Sequence, residues 1–471
     1  MQLTKILCTL GPATSSTDRI AKLIESGMDV ARFNLSHGTH ESHATMIKMT
    51  REASERFSPH RRMAILIDTK GPEVRTGDRD KPLTVEANQE IVFSPKPLGG
   101  EELETVIVDH PRFGDDAKNA ECIYIDNGAM SFDVIEVRGD GSVKARARES
   151  GVIGSRRHVN LPGAMLNLPS ITEKDWSDIA FAVEQKADFI AVSFVRDAAM
   201  LNDIREFLCK KKSPIQLIAK IETKQGLDNL AEIIAASDAV MVARGDLGAE
   251  IPFERVPAIQ DEIVARCRDA GKPVIVATQM LESMIEHPIP TRAEVTDIAY
   301  AASTRTDAVM LSSETANGKH PIQALQTISR VLEETEGHIE REHRAEEEWI
   351  AVHDEREARA EAAVILSRSI DGAAIVVFTR TGRTARDVCK FRPTIPIIAF
   401  TNSDTVQRQL KLAFGVQPLV VPFDADPEQT VRSALELAKG EGILQESERI
   451  ILLSDVRTLH ENVGTIQVRV V

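Results

Sequence analysis

Short apolar runs that end in polar residues or glycine recur along the first two thirds of the chain. Eight can be marked, at 6–11, 30–38, 63–71, 189–195, 217–222, 239–246, 274–280 and 308–314. Stretches with helical apolar spacing lie between most of them, at 16–26, 175–185, 198–209, 225–236 and 256–269. Eight strands alternating with helices predict a TIM (β/α)8 barrel, whose working face is the carboxyl ends of the strands. An open doubly wound sheet gives a similar alternation; the count of eight and the spread of polar ends over many strands favour the barrel.

One connection breaks the rhythm: about ninety residues separate Gly71 from Leu161, far more than an ordinary loop. They carry short β-rich pieces at 83–85, 90–93, 105–108, 122–125, 132–137 and 143–147, with turns at Asp126-Asn127-Gly128 and Gly139-Asp140-Gly141. That is the pattern of an inserted small β-barrel, placed where it can close over the mouth as a lid. After the eighth run, the charged stretch 333–362 reads as a solvated or subunit-bridging helix. Beyond it, strand-like runs at 373–378, 396–401, 416–421, 450–453 and 466–471 alternate with helical ones at 384–390 and 405–412, describing a second α/β domain. The expected division is 1–71 and 159–340 for the barrel, 72–158 for the lid, and 341–471 for a C-terminal α/β, regulatory domain.

Composition narrows the class without changing this picture. The 471 residues exceed one ordinary domain, and 42% hydrophobic with 27% charged residues is a globular balance. A formal net charge of -15 disfavours nonspecific nucleic-acid binding but permits a local cationic pocket. No apolar run approaches the roughly 18 residues of a membrane span. The N-terminus enters a strand-like segment without a basic leader or cleavage site, so the cytoplasm is the expected setting. Cys8, Cys122, Cys209, Cys267 and Cys389 are scattered with no C-x-x-C spacing, which predicts reduced packing thiols, neither disulfides nor a zinc site.

The chemistry collects at the strand ends. The run 239–246 is apolar and stops on Asp246, which places a carboxylate at the mouth, where charge is tolerated. Lys220 and Glu222, two residues apart, project to the same face. Glu222 and Asp246 on neighbouring strands can share a divalent ion, with water and phosphate oxygens filling its other positions, and Lys220 offers a compact positive charge to a phosphoryl group in transit. An ion pair that merely neutralises the mouth is the competing reading; Thr278 on the next strand adds to the first. Arg32, Asn34 and Ser36 alternate on one face and Asp68 with Thr69 closes the following strand, supplying a phosphate fork and a set of oxygens suited to a monovalent cation, or else a hydrogen-bonded turn. His37, His40 and His43 read as solvated or capping residues. Thr379, Arg380, Thr381, Gly382, Arg383 and Thr384 open a helix with hydroxyls, glycine and arginines, equally good as an anion site or as an ordinary cap.

With these residues in hand, the chain resembles the pyruvate kinase family over nearly its whole length. The resemblance is carried by segments 5–14, 31–38 (with Arg32, Asn34, Ser36), 68–77 (with Asp68, Thr69, Gly71, Glu73, Arg75), 219–222, 241–248, 277–284 and 290–294, in that order and spacing. It implies transfer of a phosphoryl group from phosphoenolpyruvate to ADP in a homotetramer dependent on Mg²⁺ (or Mn²⁺) and K⁺. Carried over by position, Arg32 would hold the phosphate, Lys220 would stabilise it in transit, and Glu222 and Asp246 would bind Mg²⁺. Backbone at Ala243, Arg244 and Gly245 with the Thr278 hydroxyl would receive the substrate carboxylate, near the point of proton delivery. Asn34, Ser36, Asp68 and Thr69 would coordinate K⁺, a requirement that Glu73 accompanies. Arg75, Asn34, His37 and Arg157 would face the nucleotide, and the 379–384 loop would receive a phosphorylated effector. The chain departs from the family at 155–160, where lysines and a glycine are usual, at Asn127, at 304–307, at Ser313, and in the short loop 455–464. Two other readings are a different metal-dependent barrel enzyme acting on pyruvate-like acids, which would need no ADP, and a catalytically silent metabolite sensor.

Overall fold

The structure is a computed structural model that describes residues 2–57, 60, 62–126, 128–164, 168–342, 350–457 and 462–471. Eight parallel strands, Lys5–Thr9, Val30–Asn34, Ala64–Asp68, Phe189–Val192, Gln216–Ile221, Ala239–Ala243, Val274–Ala277 and Ala308–Leu311, close into a barrel in chain order. The first strand pairs with both the second and the eighth, and the third meets the fourth across the insertion, with Ile67 opposite Ile190. Leu7, Leu66, Phe189, Ile218, Met241 and Ile275 fill the interior, while Ile6, Phe33, Ile65, Ile190 and Val242 face the surrounding helices. Burial on both faces is why these strands read as continuous apolar runs instead of alternating ones. Helix starts are set by hydroxyl and carboxylate caps: Ser16, Thr172, Asp197 and Thr291 each accept from a backbone N–H three residues on, and Thr172 with Asp175 and Thr291 with Glu294 complete capping boxes.

The floor of the barrel repeats one device every second strand. Asp29, Asp188, Asp238 and Asp307 stand just before the second, fourth, sixth and eighth strands, and each accepts a backbone N–H from the strand before: Ile6 at 3.1 Å, Ile65 at 2.9 Å, Leu217 at 2.8 Å and Val274 at 3.0 Å. A strand-opening N–H at the rim of a barrel has no ladder partner of its own, so a carboxylate there satisfies it.

The inserted segment, expected as a small barrel, has six strands in the order Val159–Asn160, Cys122–Ile125, Met130–Val137, Val143–Ala147, Glu90–Ser94 and Thr105–Ile107, and a separate pair, Gly151–Ile153 with Leu83–Val85. The chain entering it joins the two outer strands of the six, since Val159 N–H donates to Val74 O at 2.9 Å and Gly77 N–H to Ile107 O at 2.8 Å, so the sheet closes on itself. One core of Val85, Ile91, Phe93, Phe113, Ile123 and Phe132 serves both, and Phe113–Ala117 adds a helical turn. Asn127, in the expected Asp126-Asn127-Gly128 turn, lies outside the described residues.

Three sequence expectations change. The run 239–246 stops being strand at Ala243; the chain turns into the helix Arg244–Glu250, so Asp246 sits on a first helical turn, where the N-terminal dipole favours a carboxylate. The charged stretch 333–362 is not one bridging helix: Pro321–Glu342 and Glu355–Ser369 are separate, with 343–349 outside the described residues. The stretch 455–464 is largely strand: Arg449–Arg457 and Asn462–Val470 run antiparallel, with 458–461 outside the described residues. That hairpin edges a five-stranded sheet whose other strands, Ala374–Phe378, Ile397–Thr401 and Val416–Val420, are parallel.

This C-terminal α/β layer is bolted to the barrel floor through two of these aspartates, Asp307 and Asp188. Arg392 grips Asp307 with both terminal nitrogens, at 3.0 and 2.5 Å, Phe414 N–H donates to it at 3.0 Å, and Arg408 meets Asp188 at 2.8 Å.

Candidate active site

At the carboxyl ends of the second to sixth strands the side chains converge. Arg32 Nε donates to Asp68 Oδ2 at 2.7 Å and its Nη1 to Thr9 Oγ1 at 2.8 Å. Asp68 faces Asn34 across the ladder and lies 3.4 Å from Lys220 Nζ. Lys220 Nζ in turn meets Glu222 Oε1 at 2.8 Å. Asp246 lies beside Glu222, and both carboxylates are largely buried. The predicted charged group is therefore one contiguous network of Arg32, Asp68, Lys220, Glu222 and Asp246.

Its electrostatics are unbalanced. Burial works against the Lys220 ammonium, but Asp68 and Glu222 outweigh it and keep the group charged beyond the usual lysine range. Asp68 is held below the ordinary carboxylate range because Lys220 and Arg32 overcome its burial. Glu222 goes the other way, pushed up to about 7 by burial with Asp246 adding to the effect, and burial raises Asp246 too. Three carboxylates face two cations, and Glu222 Oε1, though buried beside Lys220, accepts no aligned hydrogen bond. Two acids that both resist ionisation, with an oxygen left over, form a site that a divalent cation would complete. Among the described residues no group of three or more His, Cys, Asp or Glu is gathered for a metal, so the remaining positions would fall to water and substrate oxygens.

Thr278 follows the seventh strand in a left-handed conformation, φ 70°, with Gln279 at 56°. For a β-branched residue this costs on the order of 1–3 kcal/mol and persists only where the surroundings impose it. They do so here. Arg244 donates from Nε to Ala277 O at 3.3 Å and from Nη2 to Thr278 O, and is anchored by Asp297 at 2.7 Å. The Thr278 hydroxyl accepts from Gly245 N–H at 2.9 Å. Arg244, whose backbone is expected among the substrate contacts, turns its side chain to this loop.

The other expected residues divide. Asn34 Oδ1 accepts from Ser36 N–H at 3.1 Å, and Thr69 follows Asp68, so the four oxygens proposed for a monovalent ion share one rim. His37 is exposed, while His43, expected on the surface, is buried and held by His37 O. Arg75 is engaged by Glu73 at 2.6 Å and by Arg156 O, and Arg157 by Asp126 at 3.0 Å. In the C-terminal layer, Thr379 Oγ1 accepts from Gly382 N–H at 2.9 Å and Gly382, φ 81°, opens the helix Arg383–Lys390; Arg380 lies over the Phe423 ring and Arg383 3.8 Å from Asp354.

Two residues were missed by the sequence. Ser193, just past the fourth strand, sits between Lys220 and Thr69, and Phe194 N–H donates to Glu222 Oε2 at 2.6 Å. A hydroxyl interrupting the apolar run 189–195 was the available signal. Glu250 is the other: it accepts from Asn160 Nδ2 at 3.1 Å, tying the end of the inserted segment to the Asp246 helix, and burial pushes its pKa up to about 7. A raised folded pKa gives stability that is present below the unfolded value and lost as pH rises through about 7. Glu250→Gln is therefore expected to match the wild type near pH 4 and to exceed it by up to about 3 kcal/mol at pH 8. Urea unfolding at the two pH values measures this, and equal stabilities at pH 8 would refute it.

Comparison with known proteins places this geometry. The pyruvate kinase barrel domain matches residues 1–325, and the pyruvate kinase alpha/beta domain matches 357–469. Pyruvate kinase isozyme G, chloroplastic, of Nicotiana tabacum is 42% identical over 453 residues, covering 96% of this chain and 80% of that protein. The pyruvate kinase of Geobacillus stearothermophilus is 41% identical over 460 residues, with 96% and 77% covered. A crystal structure of a pyruvate kinase from Cryptosporidium parvum superposes with a TM-score of 0.89 at 37% identity, covering 99% of this chain and 96% of that one.

Proposed function

The chain belongs to the pyruvate kinase family, a phosphotransferase that moves the phosphoryl group of phosphoenolpyruvate to ADP, and on that premise we propose which of its residues do the work. Arg32, fixed by Asp68 and Thr9, presents its guanidinium to the transferring phosphate. Lys220 neutralises the charge that spreads over the phosphoryl oxygens in transit, a positioning and electrostatic role that needs no covalent step by the protein. The N–H groups around Gly245 and the Thr278 hydroxyl receive the substrate carboxylate, and the Thr278 loop stands where the enolpyruvate takes up its proton.

The family is metal-dependent; we assign Mg²⁺ (or Mn²⁺) to Glu222 and Asp246, and K⁺ to Asn34, Ser36, Asp68 and the Thr69 carbonyl. The charge count supports the first assignment. With Asp68, Glu222 and Asp246 against Arg32 and Lys220, the mouth carries about one net negative charge and repels a phosphate; a divalent ion reverses that sign and, when bound, neutralises phosphoryl and carboxylate oxygens. Asp68 is already matched by Arg32, so its rim suits a cation of low charge density. Arg75, Asn34, His37 and Arg157 are the proposed nucleotide contacts, with Arg75 and Arg157 exchanging their carboxylate partners for phosphate. The 72–158 lid would close over the barrel of 1–71 and 159–340, and 341–471 would take a phosphorylated effector at 379–384. A homotetramer in the cytoplasm completes the reading; all five thiols are unpaired, as a reducing compartment keeps them. No helix among the described residues is long and apolar enough to cross a membrane.

The network joining Lys220, Glu222 and Asp246 carries this reading, and a coupled assay tests it. Pyruvate formation is expected from phosphoenolpyruvate and ADP with Mg²⁺ and K⁺, with a large loss of rate when Na⁺ replaces K⁺. No pyruvate under any of these conditions would sink the assignment, and equal rates in Na⁺ would sink the K⁺ rim. ADP-independent turnover would indicate the alternative barrel enzyme.

A further inference from the structure

Ser193 is 1% exposed and makes two short contacts of opposite sense. Its Oγ accepts from Lys220 Nζ at 2.7 Å and donates to the Thr69 carbonyl at 2.7 Å, with Asp68 Oδ1 a more distant 3.3 Å. A hydroxyl has one proton, so directing it at a backbone oxygen fixes where its lone pairs point. Here they point at the ammonium. The turn itself is locked. A Cβ on Gly71 would come within 2.7 Å of Ser193 Cβ and 2.8 Å of the Phe194 ring, so the chain entering the inserted segment presses on it from behind. Phe194, at φ 53°, aims its N–H at Glu222. One two-residue turn therefore holds both members of the Lys220 and Glu222 pair.

We propose that Ser193 is a positioning residue for phosphoryl transfer, setting the rotation of the Lys220 ammonium so that one N–H faces the mouth. An ammonium has three protons. Ser193 takes one at 2.7 Å, whereas Glu222 Oε1, at 2.8 Å but out of line for a hydrogen bond, and Asp68, at 3.4 Å, attract the charge without fixing a proton. With one proton fixed by Ser193, another is left for a phosphoryl oxygen. The neutrality of the acceptor matters: a carboxylate in place of Ser193 would add a further negative charge to a mouth that must accept an anion. Without the hydroxyl, the ammonium is free to swing onto Asp68 and Glu222, where its protons are spent on carboxylates.

This inference rests on the role proposed for Lys220, and the experiment keeps the two apart. Full-length wild type, Lys220→Ala, Ser193→Ala and Ser193→Cys are assayed with phosphoenolpyruvate, ADP, Mg²⁺ and K⁺. Ser193→Cys keeps the volume under Gly71 but offers a poor acceptor, and it carries the test should the alanine variant not fold. Both Ser193 variants are expected to lose about 10- to 100-fold in kcat, as supporting contacts of catalytic groups do, with KM for phosphoenolpyruvate changed far less. Wild-type kcat in Ser193→Cys would mean that only volume matters, and a loss confined to KM would make Ser193 a binding group; either overturns the proposal. An inactive wild type overturns the functional reading instead, and an active wild type with inactive Lys220→Ala but unaffected Ser193 variants overturns this inference alone.

Discussion

Lys220→Ala is expected to lower kcat by about 10³- to 10⁵-fold, the range in which a single cation aimed at a transferring phosphoryl group acts. The structure explains why no neighbour can substitute. Arg32, anchored by Asp68 and Thr9, already has its own place on the phosphate and cannot move to that of the ammonium, and Arg244 is committed to Ala277, Thr278 and Asp297. Removing the ammonium also leaves Glu222 without the charge that restrains its pKa, so this carboxyl is expected to take up a proton near neutral pH and to weaken as a metal ligand. The kinetic loss should therefore come with a raised Mg²⁺ requirement. Steady-state rates across a Mg²⁺ titration, with calorimetric binding of phosphoenolpyruvate, separate the two parts. A variant within tenfold of wild type would show that the phosphate is stabilised elsewhere.

The largest loss of stability is expected away from the mouth, at Asp307→Ala. This carboxylate is 1% exposed and accepts from Arg392, Val274 N–H and Phe414 N–H, with the Cys389 thiol at 3.5 Å. Its removal leaves a guanidinium only 3% exposed without its counter-charge, a change that costs about 3–5 kcal/mol. Replacing both charges, as in Asp307→Ala with Arg392→Met, should recover part of that loss, because the unpaired buried cation is gone. Urea midpoints of the single and double variants measure both statements. If the double variant is less stable than Asp307→Ala alone, the penalty does not come from the stranded arginine.

Both predictions draw on residues of which the sequence showed only half. The barrel was legible because strands buried on two faces leave unbroken apolar runs, and because polar residues recur at one end of each. Lys220, Glu222 and Asp246 were legible as charges ending such runs. Partnership was not. That the Arg244 side chain clamps a strained Thr278 loop depends on where the chain turns after Ala243, and the change from strand to helix at Arg244-Gly245 carries no strong local signal. Ser193 and Glu250 are tied to groups 27 and 90 residues away, through Lys220 and Asn160, and no spacing rule reaches so far. His43 was misplaced because a histidine on a helix entry looks solvated until the fold covers it. The floor aspartates were in plain view, since Asp29, Asp188, Asp238 and Asp307 all precede apolar strands, but their common task appears only once strands are paired.

Those four aspartates also say something about how the chain comes to fold. Each closes a unit of two consecutive strands, and the bonds span 23, 123, 21 and 33 residues for the first to fourth units. The second unit contains the insertion. Loop closure grows costlier by about 0.6 kcal/mol per doubling, so joining Ile65 to Asp188 carries roughly 1.5 kcal/mol more entropy than joining Ile6 to Asp29, if the intervening chain is still random. That surcharge shrinks once the insertion has condensed about its own Phe93 and Phe132 core, because a folded insert brings its two ends together. The order of events follows: three quarters of the barrel can form as local units, while the quarter that carries the insertion waits for the insertion to fold.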